Sequence, residues 1–488
     1  MKKIYIIIAF ALMLASCEDF TELKPKGKNL LSTTDELELL LNVEYSNFYQ
    51  FDMYQLTGDL ICVTNNIPNL LSAPTPSRAA LILTWADDKM DLMAGLTTSD
   101  SDYSQLYGYV GQIANPILSS LEFATGSEAK KAQLRAEALT LRAWCEFLLV
   151  NKYAAAYDPS TAESTPGIPY VLEDWDITVP PEQWSVARVY DQILKDCDDA
   201  IALDALPETA VNQMRMNKAC PVAVKALALI GMQRFDEAEA AAKQVLAVND
   251  AVADYWSDAY TQQVMCFMIP TMFTPAVYRP QLACEEDLFH THSVLNFMPL
   301  RAPECEAALE GGHSALVRMP TDGMRYNYMM NQGQMTQGVS GYTTIWDMDG
   351  SSSWNMYGLK TTHQYLIIAE CELRKGNIDE AMRYLDIIRS KRIDPSVYAP
   401  LEGTVTDKAE AVAHLKQTAL GENVYSVYNF IGRKRWNKLD DMKETLTRTK
   451  LGQTYTLEPD SPMWIFPFPS NAVDNNPNLH QNYKSNEK

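Results

Sequence analysis

Asn65, Arg78, Trp85, Tyr278, Tyr342 and Trp346 supply the two kinds of group that a sugar-binding surface combines. An aromatic face packs on the apolar C–H face of a pyranose, while amide and guanidinium groups hydrogen-bond its rim of hydroxyls. These six lie in or beside segments without clean helical periodicity and are the candidate glycan contacts, with Tyr103 and Trp354 in a similar setting. Other chemistries have weaker support. His290-Thr291-His292 can put two imidazoles on one face of a strand, but nothing local completes a metal shell at a diagnostic spacing; it reads as a polar loop and no metal is expected. Glu304, Glu306 and Glu310, or Glu285, Glu286 and Asp287, offer the carboxylates of a glycosidase, yet in a chain with 62 acids such clusters arise on solvated faces. The sequence carries no Gly-x-Ser-x-Gly elbow, phosphate loop or dinucleotide fingerprint. A binding protein with no catalytic group and no cofactor is therefore expected.

Cys17 has a different chemistry. Lys2 and Lys3 precede the apolar run Ile4–Leu14, and Leu14-Ala15-Ser16-Cys17 matches a bacterial lipobox at all four positions. The expectation is a leader at 1–16 and a mature chain, 17–488, held to a membrane by acyl chains on Cys17. Two or more chains at about 0.8 kcal/mol per buried methylene make such attachment effectively permanent. The next most apolar stretch, Val264–Val277, is broken by Pro270 and Pro275 and cannot span a bilayer. Glu18 to Gly27 is polar and reads as a tether.

The elements that would position these residues are mostly helices. Leu134, Ala138, Leu141, Cys145 and Leu148 recur at spacings of 4, 3, 4 and 3, predicting one long amphipathic helix over Glu128–Tyr153 with Ser127 as its N-cap. Val186 to Ile201 predicts a second, capped by Ser185. Between them Asp158–Pro181 is too rich in proline to be helical and is expected to be a long ordered loop. Ala226–Ala238 and Ala369–Ala381 both end in apolar-Asp-Glu-Ala, with alanine twelve residues earlier, the pattern of a tetratricopeptide hairpin. Ser32–Tyr54 and Tyr103–Phe123 are further helix candidates. From about 249 to 357 periodicity gives way to Pro, Gly, Met and aromatics, which predicts a loop-rich insertion on one face of the scaffold, where recognition usually resides. Cys145, Cys197 and Cys371 sit in helical stripes as small core residues, while Cys284 and Cys305 can pair after export. With a formal charge of −21 over 488 residues, the surface repels phosphate, which excludes nucleic acid and adhesion to anionic lipid through basic patches.

Taken together these segments resemble the SusD/RagB family of surface lipoproteins. The resemblance lies in Cys17 with its Lys24-Pro25, in Tyr103-Ser-Gln-Leu-Tyr107 with Ile113-Ala-Asn115, and in Arg135-Ala-Glu-Ala with Leu141-Arg142-Ala143-Trp144. It continues through Gly167-Ile-Pro169 and Val189–Asp196 to the closing Phe466-Pro-Phe-Pro469 and Asn476-Pro-Asn-Leu-His-Gln-Asn482. Departures are Ala472 in place of a glutamate, the missing Pro-Gly-Tyr end, and a late helix, Phe430–Leu439, that has lost its acids. The resemblance implies a mainly α fold in which four tetratricopeptide-like units dock on a SusC-like TonB-dependent porin. It also implies that the irregular part holds a glycan at the outer face of the outer membrane. A tetratricopeptide scaffold for a peptide or protein, and a surface glycosidase, are the other readings.

Overall fold

The computed structural model describes residues 31–46, 52–58, 67–256, 285–291, 293–294, 300–301, 308–313, 344–345, 353–423 and 426–483. The main helices are Thr34–Leu39 (α1), Asp52–Thr57 (α2), Arg78–Leu83 (α3), Ser101–Tyr109 (α4), Glu128–Tyr153 (α5), Val186–Ala202 (α6), Ala219–Gly231 (α7) and Phe235–Val248 (α8). Thr361–Lys375 (α9), Ile378–Arg392 (α10), Lys408–Glu422 (α11) and Tyr428–Trp436 (α12) follow. The fold is mainly α, as the periodicity predicts.

Both predicted caps form. The Ser127 hydroxyl accepts from Lys130 N and the Ser185 hydroxyl from Arg188 N, each satisfying an amide that the helix leaves unpaired. From Leu134 onward nearly every residue of α5 is buried, because it packs against helices on several sides: α4, α6 and α7 among them. Tyr103–Phe123 forms two helices rather than one: α4 runs through a π turn, Val110–Ala114, into Asn115–Ser120. Ser32–Tyr54 likewise contains only the short α1 and the start of α2.

The two hairpins with matching sequence are neighbours in space. α7 packs on α8, α8 on α9, and α9 on α10, although Ala226 and Ala369 lie 143 residues apart. Ala226, Ala238, Ala369 and Ala381 are completely buried, so methyl groups stand where the backbones come closest. Gly376, with φ of +84°, ends α9 in the left-handed conformation that glycine adopts without cost and lets the chain turn straight into α10. The stack continues with α11 against α9 and α10, and α12 adds Trp436 to the same core while also packing against the N-terminal α2. The acid-poor late helix is accommodated by cations that find partners elsewhere. Lys434 Nζ donates to Asn151 O (2.7 Å) and Ala154 O (2.6 Å) at the C-terminal end of α5, where carbonyls are unpaired and the helix dipole is negative.

The proline-rich crossover is partly β. Pro166–Pro169 (β1) pairs antiparallel with Gln183–Ser185 (β2), which ties the two ends of the loop together. Asp287–Phe289 (β3) pairs with Leu359–Lys360 (β4), and Leu446–Lys450 (β5) with Gln453–Leu457 (β6). The closing motif is a set of amide clasps. Asn482 Nδ2 donates to Tyr153 O (2.6 Å) and Phe466 O (2.9 Å), and Gln481 both accepts from Phe468 N (2.9 Å) and donates to Phe468 O (2.8 Å). Asparagine and glutamine suit this task because one side chain carries a donor and an acceptor. Cys145, Cys197 and Cys371 are buried free thiols, as expected of small core residues; Cys284, Cys305 and Cys17 lie outside the described residues.

Candidate functional site

The base of the loop-rich segment is built from charged and amide side chains. Chain leaving α8 and chain entering α9 meet at Glu286, whose carboxylate accepts from Ala253 N (3.0 Å), Tyr255 Oη (3.1 Å), Lys360 Nζ (3.2 Å) and Arg392 Nη2 (2.7 Å). Arg392 also holds Glu422 through Nε (2.6 Å) and Nη2 (3.0 Å) and stacks 3.8 Å from the Tyr255 ring centre. Burial alone would neutralise Glu286; Arg392 and Lys360 reverse that and hold its carboxyl far below the usual range. Beside it Asn355 Nδ2 donates to Asp287 Oδ1 (2.9 Å) and Phe289 O (2.9 Å), and its Oδ1 accepts from Thr291 N (3.0 Å). His290 is buried in the non-strand backbone just after β3, with Nδ1 2.8 Å from Asp287 Oδ2; His292 lies outside the described residues. Of the carboxylates offered for hydrolysis, Glu286 and Asp287 make the bonds just described and Glu310 is in an ion pair with Arg389.

A second cluster fastens this base to the long helix. Lys152, completely buried on α5, donates to Asp100 (2.9 and 3.0 Å) and Asp102 (2.7 Å) and lies 3.9 Å from Asp52. Arg78 pairs with Asp52 and with Asp100 (3.3 Å), and Tyr357 Oη donates to Asp102 (3.0 Å). Three carboxylates thus face two cations. Burial pushes the Asp102 carboxyl up to about 7 against the pull of Lys152, with Asp100 and Asp52 adding to the shift, and a proton there balances the cluster's charge.

Two of the six glycan candidates are consumed by the fold. Arg78 belongs to the buried cluster just described. Trp85 is 6% exposed; its indole donates to Leu56 O (2.9 Å), and the Arg448 guanidinium lies 3.7 Å from its ring centre. Neither ring face nor guanidinium is available as a sugar platform, which corrects the expectation for both. Tyr103 packs among Tyr107, Tyr153 and Phe468. Asn65, Tyr278, Tyr342 and Trp346 lie outside the described residues.

A polar cleft of about 530 Å³ opens between α5, α6 and residues 172–174 of the crossover, with Arg135, Arg142, Glu173, Asp174, Lys195 and Asp199 on its walls. Its floor is Arg142, which donates to Asp196 through Nε (2.7 Å) and Nη2 (3.0 Å) and to Asn115 Oδ1 (3.0 Å). Asp196 accepts further from Tyr170 Oη (2.8 Å) and Gln192 Nε2 (2.8 Å). Among the described residues no group of histidines, cysteines or acids is arranged to hold a metal.

Residues 74–230 match a family described as SusD-like, starch-binding associating with outer membrane. A SusD superfamily protein from Bacteroides thetaiotaomicron has the same fold, with a TM-score of 0.64 at 17% identity over 93% of this chain and 100% of that one. Residues 74–230 of this chain thus match the SusD-like family, and the whole chain shares the fold of SusD superfamily proteins. A putative sugar binding protein from Bacteroides vulgatus aligns with a TM-score of 0.59 at 15% identity, covering 92% of this chain and 98% of that one. The surface glycan-binding protein A from Bacteroides uniformis gives 0.61 at 14% over 92% and 99%. Comparison with curated proteins gives no match.

For this SusD-like chain, sequence reasoning missed both ion clusters and the cleft. The available signal was a basic residue inside an apolar helix: Arg142 and Lys152 stand in α5 where every neighbour is buried, and a buried cation requires acidic partners from elsewhere.

Proposed function

We propose that this protein is a lipid-anchored glycan carrier of the outer cell surface, which captures an oligosaccharide or polysaccharide and passes it to a SusC-like TonB-dependent porin. The observation that carries the reading is the match to a family described as starch-binding and associated with the outer membrane, on a fold shared end to end with a surface glycan-binding protein. Cys17 supplies the anchor, and among the described residues no helix is long and apolar enough to cross a membrane. The contacts lie in or near the 249–357 segment, with Tyr278, Tyr342 and Trp346 as aromatic platforms and Asn65 as a polar partner. The role is capture without chemistry, which fits relatives named as binding proteins and the structural use of Glu286 and Glu310.

A partly wet aromatic platform supports binding energies of about 4 to 6 kcal/mol, or millimolar to tens of micromolar. Such affinity allows release into a porin. Calorimetric titration of the chain lacking its leader and Cys17 against a polysaccharide panel tests the reading: saturable binding to at least one glycan is expected. Silence across the panel together with tight binding of a peptide would replace the glycan with a protein ligand, and release of sugars by the pure protein would make it an enzyme.

A further inference from the structure

We infer that the loop Asp174–Pro181 is a preformed docking finger for a second protein, one that offers an apolar recess bordered by lysine or arginine side chains. Within five residues this loop presents three large apolar groups to solvent: Trp175 is 37% exposed, Ile177 83% and Val179 53%. Single exposed apolar residues are ordinary, but a cluster is the mark of an interaction surface.

The loop cannot simply fold these groups inward, because its shape is held by hydrogen bonds. Asp176 Oδ1 accepts from Thr178 N (2.9 Å) and Thr178 Oγ1 (2.7 Å), and Val179 N donates to Asp176 O (2.9 Å). The Trp175 indole donates across the turn to Val179 O (2.8 Å). Its base is fixed from the other end of the chain, where Asn478 Nδ2 donates to Pro180 O (2.8 Å) and Asn476 Nδ2 to Pro181 O (3.0 Å). Holding the loop in one shape before binding removes an ordering cost at the moment of docking.

Charge selects the partner. Asp174, Asp176 and Glu182 flank the apolar groups, while Glu173 is already paired with Arg142, and no lysine or arginine occurs between Leu172 and Gln183. These acids repel an anionic bilayer, and a second copy of this chain, at a formal −21, is a poor electrostatic match. Isoleucine and valine cannot hydrogen-bond a sugar rim. An apolar protein recess with a basic border satisfies both the centre and the edge of the finger.

The test is photocrosslinking of the full lipidated chain in the cells that make it, with Ile177→p-benzoylphenylalanine as the probe and Val211, also exposed, as the control position. One protein adduct is expected at position 177, its crosslinked peptide apolar and bordered by Lys or Arg. Its yield should fall about tenfold or more when Trp175→Ser and Val179→Asp are added. Asp174→Lys with Glu182→Lys, which leaves every loop hydrogen bond in place, should lower it several-fold. Adducts to lipid, to polysaccharide, to another copy of the chain or to an acidic peptide would overturn the inference. So would a yield no higher than at Val211, or one indifferent to the substitutions.

Discussion

The buried cluster around Lys152 makes stability depend on pH through one carboxyl. Asp102 titrates near 7 in the folded chain and near 3.8 when free of its surroundings, so between those values the native state holds a proton that the unfolded state has lost. That contribution is complete below pH 4 and disappears as pH rises through 7. Asp102→Asn is expected to remove a loss of the order of 1 to 4 kcal/mol between pH 4 and 7. Urea denaturation of both proteins at several pH values checks this, and parallel curves would show that Asp102 is ionised throughout. The same scale separates two tryptophans that look equivalent in sequence. Trp85→Ala should cost about 3 to 5 kcal/mol of stability because the ring is packed and bonded inside. Trp346→Ala should instead weaken glycan binding about three- to tenfold and leave the melting temperature within a few degrees; unchanged affinity would remove Trp346 from the site.

At the scale of elements, the irregular segment has a rigid root. β3 and β4 pair beneath it, and Gly358 fits there only because it lacks a side chain: a Cβ at that position would stand 2.1 Å from Phe289 O and 2.0 Å from Asn355 Oδ1. Gly358→Ala is therefore expected to open this pairing, at about 1 to 3 kcal/mol. Limited proteolysis should then cut between residues 285 and 360 faster than in the parent, while the helical scaffold keeps its far-ultraviolet circular dichroism. Equal cleavage of both proteins would show that the strand pair is not what roots the segment. Helices and their ends were legible beforehand, since apolar spacing and a Ser cap act within one turn. The β1–β2 pair was not, because prolines in Asp158–Pro181 hide a ladder whose partner lies beyond the loop.

For the whole molecule, the proposed carrier role requires attachment. The chain made with Cys17→Ser should incorporate no radiolabelled palmitate and leave the membrane fraction, whereas the unchanged chain should be labelled and sediment with outer membranes. Label retained in the variant would place the lipid elsewhere. Far-apart segments are joined throughout: α8 to α9 across the 249–357 segment, the C-terminal Asn482 to Tyr153, and Lys434 to the end of α5. The fold is thus closed by contacts between remote parts of the sequence, which explains how identities of 14 to 17% to relatives coexist with a common shape.

Sequence alone determined the two long capped helices, the two alanine hairpins and a resemblance to SusD-like proteins, all of which depend on residue type at short fixed spacing. Which aromatic and charged groups are spent on the core was decided only in three dimensions. Trp85 and Arg78 carry the right chemistry for a ligand, but chemistry does not record whether Arg448 or Asp52 has already taken the group, because that depends on chain neighbours dozens to hundreds of residues away.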